Sequence, residues 1–598
     1  MSWLDDILKK LHKADVQIIN DAKSPSGPPH VGSLRGVIIH DAVYKFLKKN
    51  GINVRYIFGS DDYDPMDEIA SSLDKNIYSQ YLGKPLANVP APQGSNASDL
   101  AMYFISDFFK IFDDLKVEAE RYYMREYYRS GFFNEAIETV LNNADKIREI
   151  YWKVSKSERP KNWYPLQVVC EKCGKIGTTE VIDWDGKEVT YVCKPDKVSW
   201  AKGCGHVGKI SPFNGNAKLP YKVEWAAKWK YFGVTIEGAG KDHNTKGGSR
   251  DIANAISRQI FGYEPPVNIP YEFFLIRGSK MSSSKGIGVT ARQMADFLPP
   301  EILRYLMLAT IPKRKVNFEP SEKYITKLFN DFDKLHSKII NHQPVEDWEK
   351  TIYELSQVFY DKPYQVLEFS LIVTMIQLPY IDIYKQAEER FGRLLTDIEK
   401  QVLDRRIKAA KYWLEHFAPD EDKYQLQEQL PDAAHNLSDL QIAFLHKLAN
   451  KLNQIDYNED SIQHEIFEIA RNLPISPKDA FQAIYTVLLG KNNGPKAGRL
   501  IAYIDKDFVI KRFTELNFDE KQFLIQSSIP IDQLKQWLEK NSKNTLFETD
   551  TINSYEKYNL SFAEVNYTKK DLPALLRVMS DSLSPEQLKQ EIIKILPK

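Results

Sequence analysis

The N-terminal part of the chain carries a strand–loop–helix–strand pattern that constrains the fold more than any other feature of the sequence. Residues 16–20 are a β-branched run typical of a buried strand, and residues 54–58 are a second such run. Between them, apolar side chains recur at helical spacing from Val37 to Leu47, and Gly51 ends the helix. We therefore predict a right-handed βαβ unit in a parallel sheet that binds a ligand at the carboxyl ends of its strands.

A loop rich in proline, glycine and serine joins the first strand to this helix. It reads Pro-Ser-Gly-Pro-Pro-His-Val-Gly over residues 25–32. Gly27 and Gly32 let a ligand approach the backbone, and the N–H groups of the helix that begins near Ser33 suit a phosphate chain. His30 can donate a hydrogen bond to a phosphate or ribose oxygen. The loop indicates a nucleotide site, and the alternative is a tight turn with a structural histidine.

A second glycine-flanked loop, Lys-Met-Ser-Ser-Ser-Lys-Gly, occupies residues 280–286 after a predicted strand at residues 271–276. Lys280 and Lys285 carry mobile ammonium groups that suit the negative charge of a phosphate in transfer. By itself such a segment is more often an exposed basic loop, so its interpretation depends on the first loop.

Together the two loops resemble the signatures of the class I aminoacyl-tRNA synthetases, His-Ile-Gly-His and Lys-Met-Ser-Lys-Ser. Ser33 stands in the position of the second histidine. Ser283 stands in that of the second lysine, so the charge there comes from Lys280 or Lys285. Further stretches resemble class I lysyl-tRNA synthetase in particular: residues 60–65, 240–243, 265–275, 494–498 and 507–513. The resemblance spans roughly residues 1–513.

The resemblance implies an ATP-dependent lysine–tRNA ligase. Lysine and ATP, with Mg2+, form lysyl-adenylate and pyrophosphate, and the lysyl group then passes to the terminal adenosine of tRNA(Lys). Attack of the substrate carboxylate on the α-phosphate needs positioning and charge stabilisation, and no enzyme nucleophile. The catalytic residues implied are His30, Lys280 and Lys285. The ATP-binding residues implied are Ser26, Gly27, His30, Gly32, Gly240, Asp242, His243, Lys280, Ser282 and Ser283.

A pocket for lysine needs carboxylates for two ammonium groups and an apolar wall for the aliphatic stem. Acidic residues follow the second strand, and among them Asp61 is more typical of a solvated loop carboxylate. Trp225, in a run at residues 221–229 that we predict as a strand, can pack on the stem or contact an ammonium group. With the resemblance, the expected lysine-binding residues are Gly27, Asp62, Asp64, Glu224, Trp225 and His243.

All four cysteines of the chain lie between positions 170 and 204. A Cys-x2-Cys pair followed by two further cysteines at this distance predicts a structural, tetrahedral Zn2+ site, and buried free thiols are the alternative. The ligands expected are Cys170, Cys173, Cys193 and Cys204, with His206 as the alternative to Cys204.

Composition excludes several classes of protein. The 598 residues contain 81 basic and 81 acidic side chains, so bulk charge does not attract DNA. Four cysteines cannot form a disulfide framework, and no apolar run is long enough to span a membrane. We expect a cytoplasmic protein with no DNA or membrane partner, and a monomer is favoured.

The predicted organisation is an α/β Rossmann-type catalytic domain with a zinc-binding insertion, an all-α domain that binds the anticodon, and a small C-terminal appendage. Their predicted bounds are 1–295 for the catalytic domain, 160–215 for the insertion, 296–340 for a connecting helical segment, 341–513 for the helical domain and 514–598 for the appendage, whose role is unknown.

Three other functions stay open at this point. The first is a class I synthetase for another amino acid, such as glutamate, whose pocket requires arginines, or cysteine. The second is a small-molecule nucleotidyltransferase, which does not need the long chain that follows the second loop. The third is a non-catalytic RNA-binding paralogue. The presence of His30, Gly32, Lys280 and Lys285 in the two loops argues against this alternative.

Overall fold

The computed structural model describes residues 3–280, 289–360, 362–379, 381–473 and 475–517. It divides into two units, Met1–Val366 and Leu367–Lys598. The strands described are β1 Gln17–Lys23, β2 Val54–Ser60, β3 Glu120–Tyr123, β4 Gln167–Val168, β5 Thr179–Trp184, β6 Val189–Cys193, β7 Val207–Ile210, β8 Ala217–Lys218, β9 Ile236–Gly240, β10 Val267–Tyr271, β11 Phe274–Ile276, β12 Ser279–Lys280 and β13 Val316–Phe318. The helices of the first unit are α1 Trp3–Leu8, α2 Val31–Lys49, α3 Lys75–Tyr78, α4 Leu100–Asp114, α5 Met124–Arg129, α6 Asn134–Asn142, α7 Ala144–Ser155, α8 Tyr221–Phe232, α9 Ser249–Gln259, α10 Ala291–Phe297, α11 Pro300–Leu308, α12 Glu322–Ile340 and α13 Asp347–Ser356.

A five-stranded parallel sheet organises the first unit, in the order β10-β9-β1-β2-β3. Helix α2 connects β1 to β2, which pair along their whole length, and this confirms the predicted βαβ unit. In the sheet, β1 lies between β2 on one side and β9 on the other. The strand order therefore reverses at β1, and a crevice opens at its carboxyl end, where ligands bind in folds of this kind.

The run at residues 221–229 is helix α8, so the prediction of a strand was wrong. Half of its 12 side chains are buried, namely Val223, Glu224, Ala226, Ala227, Lys228 and Trp229, and only Tyr221 and Lys230 are exposed. A helix that is buried on nearly all sides has no polar face, and its sequence therefore lacks the 3.6-residue period that distinguishes a helix from a buried strand.

Between α7 and α8 the chain forms a small antiparallel β module. Strand β4 pairs with β8, and β5, β6 and β7 form a separate three-stranded sheet. The module lies where the sequence predicts an insertion, and it contains all four cysteines.

The described elements of the second unit are all helical, as predicted. They are α14 Phe369–Ile376, α15 Ile383–Phe391, α16 Asp397–His416, α17 Asp439–Leu452, α18 Glu459–Asn472, α19 Pro477–Leu489, α20 Ala497–Ala502 and α21 Lys506–Phe513. Capping boxes start two of these helices, with Thr396 and Glu399 at α16 and Ser438 and Gln441 at α17. Side chains from α17 to α21 form their common core, with Phe444 fully buried.

The first unit extends beyond the predicted start of the helical domain at residue 341. Helix α13 packs against α11 and α2, which holds residues up to Val366 in the first unit. Of the predicted appendage at 514–598, only residues 514–517 lie within the described residues. In the described ranges, no helix combines the length and the apolar character that crossing a membrane requires.

Candidate functional site

Two cavities adjoin at the carboxyl end of β1. We call the larger one, about 680 Å³ and lined by Asp61, Asp64 and Glu224, the acidic cavity. The smaller one, about 290 Å³ and lined by His30 and Gly32, is the loop cavity. Both are lined by a shared wall that consists of Asp21, Ala22, Lys23, Gly240, His243 and Tyr271. A molecule bound in one cavity therefore lies next to a molecule bound in the other.

The loop cavity lies at the N-terminus of α2. His30 caps this helix in an extended conformation, and its side chain lines the cavity with Gly32 and Ser33. Asp242 and His243, which follow β9, line the same cavity. His30, Gly32, Asp242 and His243 are four of the residues predicted to bind ATP, and Gly240 in the shared wall is a fifth. The structure brings these five residues together at one cavity.

The backbone that follows the second sequence loop is joined to the first. The Val31 N–H donates to the Val289 carbonyl oxygen at 3.1 Å, and the Ala291 N–H donates to the Pro29 carbonyl oxygen at 2.7 Å. At the other end, β12 pairs with β11, and the first residue of β11, Phe274, lines the loop cavity together with Phe273. Four predicted positions lie outside the described residues: the side chain of Lys280, and Ser282, Ser283 and Lys285. The flanks of the second loop thus lie beside the first loop, although the two are far apart in sequence.

Glu224 is the centre of a buried charge network in the acidic cavity. Its side chain is 3% exposed, and its carboxylate lies 2.9 Å from Lys218 Nζ and 3.3 Å from Lys228 Nζ. The Tyr128 hydroxyl donates to the same carboxylate at 2.5 Å. Burial disfavours charge on both lysines, but the surrounding carboxylates outweigh it and raise the pKa of each. Both ammonium groups therefore stay charged.

Asp61 and Asp64 complete this network. Lys218 Nζ lies 2.6 Å from Asp64 Oδ1, and Lys228 forms an ion pair with Asp61. With Glu224, three carboxylates face two ammonium groups. Burial raises the pKa of Asp61 to about 7 in spite of its partner, so near neutral pH the network lies between one net negative charge and none.

The structure does not bring Asp62 and Gly27 into the lining of either cavity. Asp62 is fully buried and accepts from Arg125 through both the backbone N–H, at 2.8 Å, and the side-chain Nε, at 2.5 Å. Arg125 in turn binds Asp99 with its terminal nitrogens. Asp62 thus ties the segment after β2 to α5, whereas Ser26 and Trp225 do line the acidic cavity.

Sequence reasoning missed several residues that line the acidic cavity: Asp21, Asp61, Lys218, Lys228, Glu237 and Tyr271. Lys228 follows Glu224 by four positions, so the two side chains share one face of α8. This spacing would have predicted their ion pair if the run had been predicted as a helix. Asp61, expected to be a solvated loop residue, is a cavity residue because α8 places Lys228 against it.

The four cysteines form a compact cluster. All four Sγ atoms lie within 4.8 Å of one another, and the Cys170–Cys204 and Cys173–Cys193 pairs are 3.7 Å apart. Four sulfurs at about 2.3 Å from a tetrahedral Zn2+ are about 3.8 Å from each other, so the donor set fits zinc. His206 lies outside this set, and its ring packs against Tyr191.

We expect protein prepared without added metal or an affinity tag to carry about one zinc per chain, and Cys173→Ser to lose it, because a structural zinc site needs all four ligands. His206→Ala is the matched control and should retain zinc. Mass spectrometry measures the zinc content of the parent and of both variants, and thermal unfolding shows whether each variant is folded. Absence of zinc from the parent protein contradicts the assignment, and loss of zinc from His206→Ala contradicts the four-cysteine ligand set.

Comparison with protein families agrees with this geometry. The sequence model of the tRNA synthetases class I (K) matches residues 1–359, and the model of an anticodon binding domain matches residues 405–516. The first match covers the unit that contains both cavities, and the second lies in the helical unit.

Individual relatives match over nearly their whole length. A lysine–tRNA ligase from Methanococcus maripaludis is 36% identical over 544 residues, which is 86% of this chain and 99% of that protein. A lysine–tRNA ligase from Picrophilus torridus is 33% identical over 519 residues, with 86% and 99% covered. Lysine–tRNA ligase 1 from Methanosarcina acetivorans is 35% identical over 540 residues, with 86% and 98% covered.

Proposed function

The chain belongs to the class I lysyl-tRNA synthetases, and we propose that lysine binds in its acidic cavity and ATP in its loop cavity. The protein is an ATP-dependent ligase that joins lysine to tRNA. Enzymes of this family use ATP with Mg2+, and the segment that matches an anticodon binding domain would contact the tRNA. The cytoplasmic location and the monomeric state stay predictions.

The observation that carries the proposal is the shared wall of the two cavities. In the first step a carboxylate oxygen of lysine attacks the α-phosphorus of ATP, and the bond to pyrophosphate breaks. In the second, a hydroxyl of the terminal tRNA adenosine attacks the carbonyl carbon of lysyl-adenylate, and AMP leaves. Two cavities in contact bring the carboxylate and the α-phosphate together, which replaces a bimolecular encounter with a positioned one.

Residues of the chain would act by positioning and by charge. His30 would donate to a phosphate oxygen, and Gly32 would leave room for the phosphate chain at the start of α2. Lys280 and Lys285 would contact the departing pyrophosphate. Bound Mg2+ would offset phosphate charge, and the cysteine cluster would hold a structural Zn2+ without contact with the reaction.

A cationic substrate agrees with the charges of the acidic cavity. Carboxylates outnumber the cationic side chains in its lining, with Asp61, Asp64, Glu224 and Glu237 among them, and within the described part of the chain no arginine lines this cavity. A glutamate substrate would add a further carboxylate to this group and leave it unpaired, which is costly in a partly buried site. This favours lysine over the glutamate alternative.

The direct test is ATP–pyrophosphate exchange with purified protein and tRNA(Lys). We expect exchange to depend on lysine, and glutamate and cysteine to support none, because neither side chain has both the length and the positive charge of the lysine side chain. Transfer of radiolabelled lysine to tRNA follows the second step. Exchange that proceeds with glutamate but not with lysine would reverse the substrate assignment.

A further inference from the structure

Glu237 is a buried carboxylate at the acidic cavity without an ion-pair partner. It lies on β9, is 4% exposed, and lines the acidic cavity but not the loop cavity. Its Oε1 accepts from Asn20 Nδ2 at 2.8 Å, and its Oε2 accepts from the Trp229 indole N–H. Among the residues that the structure describes, no lysine, arginine or histidine forms an ion pair with it. Only neutral groups hold this carboxylate.

The positive charge of Arg250 acts on Glu237, but the guanidinium donates to backbone oxygens and forms no ion pair with the carboxylate of Glu237. It donates to the backbone carbonyl oxygens of Glu237 and Pro266, each at 3.0 Å, and lies 4.6 Å from the centre of the Trp229 ring. Burial raises the pKa of Glu237 although Arg250 opposes this. The negative charge of the Glu237 carboxylate is therefore only partly compensated by the protein. Such a buried charge is costly unless a cationic group binds next to it.

Three acids of the cavity, Glu224, Asp64 and Asp61, already have lysine partners. Of the two others besides Glu237, Asp21 lies 3.4 Å from His40, and Asp67 is exposed. Glu224 binds Lys218 and Lys228, Asp64 binds Lys218, and Asp61 binds Lys228. A substrate ammonium group that paired with one of these three acids would compete with an ammonium group of the protein. A substrate ammonium group that paired with Glu237 would not compete with a lysine of the described residues, because none of them forms an ion pair with this carboxylate.

The neutral donors also fix the orientation of the carboxylate. The Tyr122 hydroxyl donates to Asn20 Oδ1 at 2.8 Å, which turns the amide nitrogen of Asn20 toward Glu237. Trp225 lines the cavity, and its ring centre lies 5.6 Å from that of Trp229. An apolar stem that passes Trp225 thus reaches a carboxylate whose direction is already set.

We propose that Glu237 determines specificity by pairing with the side-chain ammonium group of substrate lysine. This rests on the proposed function. The reacting carboxylate of lysine belongs at the shared wall, next to the loop cavity. Glu237 lies outside that wall, so it faces the other end of the substrate. Asp21, which does belong to the shared wall, lies nearer the reacting end.

The test compares Glu237→Gln with the parent enzyme, using lysine and hydroxynorleucine, in which a hydroxyl group replaces the side-chain ammonium. In the exchange assay with tRNA, we expect KM for lysine to rise at least about 100-fold, as for loss of one partner of a buried charge pair. KM for hydroxynorleucine and for ATP should change less than about threefold. Glu264→Gln, which removes an exposed acid paired with Arg258, is the matched control and should behave as the parent.

Folding of each variant is checked by thermal unfolding. A folded Glu237→Gln enzyme with the KM of the parent for lysine overturns the proposal. If this variant does not fold, a crystal structure of the parent with lysine decides. The side-chain nitrogen within hydrogen-bond distance of Glu237 supports the proposal, and the same nitrogen on any other acid of the cavity overturns it, whether Asp21, Asp61, Asp64, Asp67 or Glu224. A parent enzyme that does not activate lysine at all overturns the proposed function first, and the two failures are therefore distinguishable.

Discussion

Replacement of Glu224 by alanine is expected to slow lysine activation at least about 100-fold and to lower the free energy of unfolding by about 3 kcal/mol. Glu224 is the carboxylate that Lys218 and Lys228 share, and the Tyr128 hydroxyl donates to it. Without it, each nearly buried ammonium group keeps one carboxylate where it had two, and the hydroxyl loses its acceptor. The acidic cavity, which both lysines line, then loses one of the negative charges that would attract a cationic substrate.

Urea unfolding and lysine-dependent exchange measure the two effects of Glu224→Ala separately. Glu138→Ala is the matched control, because Glu138 is an exposed acid on α6 and its removal should leave both quantities unchanged. An alanine variant of Glu224 that is as stable as the parent would show that the network does not stabilise the fold. A stable and fully active variant would remove Glu224 from the lysine site as well.

Replacement of His30 by alanine is expected to slow adenylate formation by about 10²–10³-fold, the usual effect of removing one positioned donor from a site where charge develops. His30 lines the loop cavity at the N-terminus of α2, and it does not line the acidic cavity. KM for lysine should therefore change little, and the effect should fall on the rate of the chemical step.

Single-turnover formation of lysyl-adenylate, measured at saturating ATP and lysine with tRNA present, tests the His30 prediction. His416→Ala, an exposed histidine at the end of α16, is the control and should react as the parent does. A change of less than about threefold for His30→Ala would exclude this imidazole from the activation step. An effect confined to KM for lysine would assign it to substrate binding.

Local sequence patterns predicted those helices, strands and clusters that are determined by residues close together in the sequence. The alternation of strand, loop and helix before Ser60 identified β1, α2 and β2, because apolar period and turn chemistry act over a few residues. The spacing of Cys170 and Cys173, with the two later cysteines, predicted the cluster that the structure shows. The family resemblance contributed the order of the two loops, whose flanking backbones meet in the fold.

Roles in the acidic cavity depended on residues far apart in the chain. Asp61 and Asp62 are adjacent and chemically identical, yet one pairs with Lys228 at the cavity and the other is buried against Arg125. No local pattern distinguishes them, since the choice depends on where α8 and α5 pack.

The amino-acid sequence by itself therefore determined the class of fold, the two glycine-flanked loops and the cysteine cluster that fits a metal ion, because periodicity, turn residues and ligand spacing are short-range properties. Only the tertiary structure decided which buried acids of the cavity have a lysine partner and which does not, because Coulomb interactions and desolvation depend on distances through space. Glu237 shows the difference: nothing in its own segment marks it, and its environment comes from Asn20 and Trp229 on two other elements.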